Sequence, residues 1–126
     1  MTPASVRELC AHGHDVRVQR GAGAAVGLDD LQYRSAGATL LDDAEAVFAG
    51  AELIVKVKEP QALECRWLRP GQVLFTYLHL AADPALTSAL LASGVVATAY
   101  ETVTGPGGRL PLLAPNERDP LVASSR

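Results

Sequence analysis

Apolar residues along this chain recur in two rhythms, a helical spacing of three to four and a strand spacing of two, and they alternate segment by segment. Thr2 before Pro3 is a helix opening, and Val6, Leu9 and Cys10 form one apolar stripe, so a helix is predicted over 3–11 with Gly13 ending it. Residues 15–19 alternate polar and apolar and predict a strand, and the glycine- and alanine-rich run 21–27 predicts a loop. Asp29 or Asp30 caps a second helix to Ala36, stopped by Gly37, and a short strand follows at 39–41. Asp42 or Asp43 caps a third helix through Ala49, with Ala46, Val47 and Gly50 toward its buried side. A strand at 53–57 is stopped by Pro60, and a helix over about 61–68 ends at Pro70-Gly71. The near-continuous apolar run 73–78 predicts a strand buried on both faces. Asp83-Pro84 opens a helix to about Ala92, Gly94 closes it, and residues 95–100 form a last strand.

Strands alternating with helices of this length imply right-handed crossovers and a mostly parallel sheet. The expected fold is α/β, three-layered, with helices on both faces, in the Rossmann-like or flavodoxin-like doubly wound class. After Tyr100 the rhythm dissolves. One domain is expected over 1–115, followed by a divergent polar tail over 116–126.

Composition narrows the partners. The chain is 48% apolar and 20% charged, enough to build a core, but only 5% aromatic, so that core must rest on Ala, Leu and Val. A net charge of −3 and a pI near 5.5 argue against nucleic acid, which needs a basic face. Every apolar stretch is interrupted before the roughly 20 residues of a membrane span, and the start shows no secretory pattern. A cytoplasmic protein with no membrane partner is expected. Cys10 and Cys65 sit alone in helix-like segments and read as free thiols, with no metal site.

In open α/β sheets ligands bind outside the carboxyl ends of the strands. The strand at 53–57 runs into Lys58, and the strand at 73–78 runs into His79. An ammonium and an imidazole at one rim can hold a carboxylate and exchange a proton. Each residue also has a plain reading, Lys58 as a solvated charge and His79 as a cap. His12 and His14 bracket Gly13 in a surface turn and read as structural. The loop 21–27 invites a dinucleotide reading, but the third glycine of that fingerprint would fall at Val26, and Asp42 or Asp43 is explained as a helix cap. No residue is assigned to a cofactor.

Several words in order and spacing resemble one family. They are Thr2-Pro3, His12-Gly13-His14-Asp15-Val16, Gly21-Ala22-Gly23, Ala36-Gly37-Ala38, Val55-Lys56-Val57-Lys58-Glu59-Pro60, Leu74-Phe75-Thr76-Tyr77-Leu78-His79-Leu80-Ala81-Ala82, Ala99-Tyr100-Glu101-Thr102-Val103 and Leu110-Pro111-Leu112-Leu113-Ala114-Pro115. Together they resemble the N-terminal, substrate-side domain of alanine dehydrogenase and, more distantly, of the pyridine nucleotide transhydrogenase α subunit. That family interconverts L-alanine with pyruvate and ammonia using NAD. The resemblance implies that Lys58 binds the substrate and that His79 is the catalytic acid/base for attack of water on the imine.

The resemblance also carries departures. The family's opening strand, and a loop with an arginine that binds the substrate carboxylate, precede the Thr2-Pro3 word, so the sheet is expected to lack its first strand. After Pro115 the chain reads Asn116-Glu117-Arg118-Asp119-Pro120, unlike the family. A nicotinamide-binding domain does not fit in this length, so no cofactor is expected on this chain alone. Three readings remain: a fragment inactive alone, one half of a split enzyme working with a separate NAD-binding chain, or a small module binding a keto or amino acid. Pyruvate or L-alanine is the expected ligand, and a homo-oligomer is an open expectation.

Overall fold

The computed structural model describes residues 1–112. The tail expected at 116–126, and the last residues of the expected 1–115 domain, lie outside the described residues. Helix α1 spans Pro3–Ala11, as its opening foretold: the Thr2 hydroxyl accepts the Ser5 N–H at 3.2 Å and Pro3 needs no donor there. Then come β1 (Arg17–Gln19), α2 (Asp30–Ser35), β2 (Thr39–Leu41), α3 (Ala44–Gly50), β3 (Leu53–Val55), α4 (Ala62–Cys65), β4 (Val73–Thr76), α5 (Pro84–Ser93) and β5 (Val96–Ala99). Aspartates supply three more helix caps: Asp29 accepts from Gln32 N, Asp43 from Ala46 N and Asp83 from Leu86 N.

All strand pairs are parallel, in an α/β arrangement. The strands nevertheless form two sheets. Among the described residues β1 pairs only with β2, and β3, β4 and β5 pair in that order. The break in the sheet falls between β1 and β3.

Each sheet has its own core. Val16, Ala36 and Ala38 pack with Val6 of α1 and Tyr33 of α2 against the first sheet. Ile54 and Leu74 pack with Phe48 of α3, Leu68, Leu78, and Leu86 and Leu90 of α5 against one face of the second. Phe48 meets Trp67 edge-on at 5.6 Å. It is this ring that buries α3; Ala46 and Gly50 are exposed and Val47 is half-buried, unlike the face expected from spacing. The larger side chain claims the core because burying an aromatic ring removes far more apolar area from water.

The opposite face of the second sheet is open. Leu53 and Val96 are 54% and 55% exposed, and Val73 and Phe75 are only half-buried. The burial of β4 on both faces, expected from its apolar run, is therefore one-sided among the described residues. β4 also ends at Thr76, so Tyr77 and Leu78 leave the ladder before His79.

Candidate functional site at the strand rim

β3 and β4 are neighbours in register, Val55 opposite Phe75, so the segments leaving them emerge at one edge of the sheet. Beyond β3 the backbone is pinned twice. The Tyr100 hydroxyl donates to the Val57 carbonyl at 2.8 Å, and the Thr76 hydroxyl donates to the Lys58 carbonyl at 2.6 Å. Pro60 is buried just beyond. The Lys58 side chain is exposed and makes no ion pair among the described residues.

The other lysine of this word behaves differently. Lys56 Nζ is ion-paired with Glu64, both side chains being mostly shielded, and lies 6.0 Å from the Phe48 ring centroid. Glu64 also accepts the Gln61 N–H at 2.7 Å. Lys56 is thus spent on the helix covering the core, and Lys58 is the ammonium left at the rim.

Beyond β4 the chain turns sharply at His79, whose φ of 46° and ψ of 45° are left-handed. It is the single non-glycine residue with positive φ among the described residues. Glu101 holds this turn: its Oε1 accepts the N–H groups of Leu78 at 2.9 Å and His79 at 2.8 Å. Glu101 is buried, and its Oε2 has no hydrogen-bond partner. The His79 ring is exposed and stacks on Tyr77, with centroids 6.0 Å apart and planes 8° apart; Nδ1 lies 3.3 Å from the Tyr77 hydroxyl. Tyr77, Tyr100 and Phe75 make a half-buried aromatic cluster beside it.

Position after a strand marks Lys58 and His79 in the sequence; it does not mark Thr76, Tyr77, Tyr100 or Glu101. Glu101 and Tyr100 lie in a recognisable word after β5, but no local rule says that a glutamate will reach back to hold a turn at His79.

The remaining sequence candidates resolve as structure. His12 Nδ1 lies 2.9 Å from the Glu8 carbonyl, and both His12 and His14 are exposed. Cys10 and Cys65 are free and half-buried; burial, followed by the neighbouring Glu64, pushes the Cys65 thiol up from its ordinary value. Among the described residues no cluster of three His, Cys, Asp or Glu is arranged for a metal, and no helix is long and apolar enough to cross a membrane.

The loop 21–27 does not fit the phosphates of NAD. The Gly21 N–H is already taken by Asp30 Oδ1 at 2.8 Å. A Cβ on Gly23 would stand 2.6 Å from the Leu28 carbonyl oxygen and 2.8 Å from the Tyr33 ring, so this glycine serves internal packing. Asp29 and Asp30 at the start of α2 would repel an anion.

A family model described as "Alanine dehydrogenase/PNT, N-terminal domain" matches residues 1–118. The chain is 55% identical over 115 residues to an alanine dehydrogenase of Halomonas elongata, covering 91% of this chain and 31% of that protein. A solved L-alanine dehydrogenase superimposes with a TM-score of 0.88 at 44% identity, covering 92% of this chain and 32% of the other. A transhydrogenase structure from Sinorhizobium meliloti gives 0.77 at 29% identity, covering 84% and 31%. The chain therefore spans about a third of the length of these relatives. With the fold, the words around the rim and the match over 1–118 in agreement, the chain belongs to the alanine dehydrogenase and pyridine nucleotide transhydrogenase family, of which it carries the N-terminal domain.

Proposed function

We propose that this chain is the keto-acid-binding half of an alanine dehydrogenase-type site, taking pyruvate and L-alanine at the rim through Lys58 and His79. The observation that carries this reading is the tie between the two strand exits, the Thr76 hydroxyl on the Lys58 carbonyl, beside the glutamate-held turn at His79. The relatives named alanine dehydrogenase supply the substrate.

In this reading the Lys58 ammonium pairs with the carboxylate of the keto acid and draws electron density from its carbonyl oxygen. His79, with Nδ1 beside the Tyr77 hydroxyl, leaves Nε2 to give or take a proton at the substrate. In this reading loop 21–27 is not the site of NAD, and oxidation of L-alanine needs an NAD-binding domain outside residues 1–126, so these residues by themselves bind without turning over.

The test is titration of pyruvate into the full chain, followed by the His79 ring resonances. A saturable shift is expected, weakened roughly tenfold to a hundredfold by Lys58→Ala, the equivalent of a charge-assisted hydrogen bond. A shift unaffected by that substitution refutes the role of Lys58. NAD-dependent oxidation of L-alanine by the chain alone, above a His79→Ala control, refutes the division of labour.

A further inference from the structure

We propose that Tyr100 and Glu101 are positioning residues of the rim site: neighbours in sequence, they grip one strand exit each and so hold Lys58 and His79 at a fixed offset from one another. The inference rests on the rim being the keto-acid site, and adds what sets the geometry of that site. Both residues stand in the short helical turn Tyr100–Thr102, directly beyond β5.

β4 lies between β3 and β5, so the turn after β5 starts two strand spacings from β3, about 9–10 Å at the usual separation. Tyr100 crosses that gap. Its ring lies 5.6 Å from the Phe75 ring and 6.1 Å from the Tyr77 ring, and its hydroxyl donates to the Val57 carbonyl at 2.8 Å, next to Lys58. Glu101 takes the nearer exit, its Oε1 accepting the N–H groups of Leu78 at 2.9 Å and His79 at 2.8 Å. The turn is itself braced on the sheet. The Thr102 hydroxyl donates to the Ala99 carbonyl at 2.8 Å, and Ala99 pairs in register with Thr76.

Stability alone does not account for this arrangement. Glu101 is only 9% exposed, its Oε2 has no hydrogen-bond partner among the described residues, and the turn it holds puts a non-glycine residue at positive φ. A buried carboxylate with an unmet oxygen and a left-handed backbone are both unfavourable. A glycine at 79 and an apolar residue at 101 would remove both burdens. What the arrangement secures is direction. Hydrogen bonds from successive N–H groups to a carboxylate are stronger than neutral ones, and they fix the backbone from which the His79 ring projects. Tyr100 acts likewise on the segment of Lys58, whose own carbonyl is held by Thr76. Because the two grips leave consecutive residues of one turn, a displacement of either exit reaches the other through it.

The experiment follows the full chain by NMR, first without ligand. Tyr100→Phe, which keeps the ring, is expected to move the Lys58 amide resonance and, through the turn, to speed amide exchange at His79 at least about threefold, while Leu74 in the core of β4 exchanges as before. Glu101→Ala should speed exchange at Leu78 and His79 at least about tenfold and also move the Lys58 resonance. With pyruvate added, either substitution should weaken the response of the His79 ring about tenfold, and the two together by little more than the larger single loss, because they act as one unit. Glu101→Gln keeps Oε1 and should stay within about threefold of wild type. Losses that simply add, or exchange at His79 unchanged by Tyr100→Phe, overturn the proposal. So does Glu101→Gln binding as weakly as Glu101→Ala, since charge and not the grip would then matter. Should Glu101→Ala unfold the chain, Tyr100→Phe and Glu101→Gln still decide. A wild-type chain that gives no pyruvate response refutes the substrate reading instead, and the ligand-free exchange alone then decides whether the turn couples the two exits.

Discussion

One oxygen of Glu101 grips the backbone at His79, accepting the His79 N–H at 2.8 Å from 22 residues further along the chain. The same oxygen takes the Leu78 N–H, so one buried and one partly buried donor at a strand exit depend on one carboxylate. Glu101→Ala should destabilise the chain by about 1–3 kcal/mol for each donor left unpaired, measured by urea unfolding. Glu101→Gln keeps an acceptor oxygen and should cost less.

His79 itself carries conformational strain, since a left-handed backbone costs a non-glycine residue on the order of 1 kcal/mol. His79→Gly should leave stability unchanged or raise it by up to about 1 kcal/mol, measured by urea unfolding. A loss of stability above about 2 kcal/mol would show that the ring, and not the turn, is what the fold needs.

The shielded Lys56–Glu64 pair should be sensitive to removal of one partner. Lys56→Met leaves a carboxylate 18% exposed without its cation and should cost about 1.5–3 kcal/mol by chemical denaturation. Adding Glu64→Leu should return part of that loss, because an apolar pair of similar size removes the stranded charge.

Cys65 ties stability to alkaline pH. Its thiol is pushed above the ordinary value of 9.0, first by burial and then by Glu64. The unfolded thiol thus ionises before the folded one, and the stabilisation is complete below pH 9 and lost as pH rises through the folded value. The wild type should lose more stability than Cys65→Ala between pH 8.5 and about 10.5, and Cys65 should alkylate more slowly at pH 8 than an unburied thiol.

The open face of the second sheet should make the chain self-associate. Leu53, Val73 and Val96 lie in one row across it, in register. Val96→Lys should suppress light scattering at working concentrations and change stability by no more than about 0.5 kcal/mol, since Val96 is 55% exposed. Unchanged scattering would place the sticky surface elsewhere.

Much of this protein is legible residue by residue. Thr2-Pro3 and the aspartate caps at 29, 43 and 83 act within one turn of their helices, and α1 and β2 fall where spacing put them. Lys58 and His79 could be marked because a parallel sheet sends its strand exits to one side. Side-chain identity alone, however, could not separate Lys56 from Lys58 or find Glu101, since their partners Glu64 and His79 lie 8 and 22 residues away.

The order of elements, the α/β class and the residues at the strand exits followed from the sequence, because caps, breakers and apolar periodicity are local and act over three or four positions. The tertiary structure alone decided the rest. It left the face of β4 opposite its core half-covered, buried Phe48 in place of Ala46, and gave Gln72 the task of donating to the Phe48 and Ala51 carbonyls across α3 and β4. It also bent His79 into a left-handed turn on a distant carboxylate. Those outcomes depend on which surfaces meet and which buried donors then need acceptors, and that is settled only when distant segments are brought together.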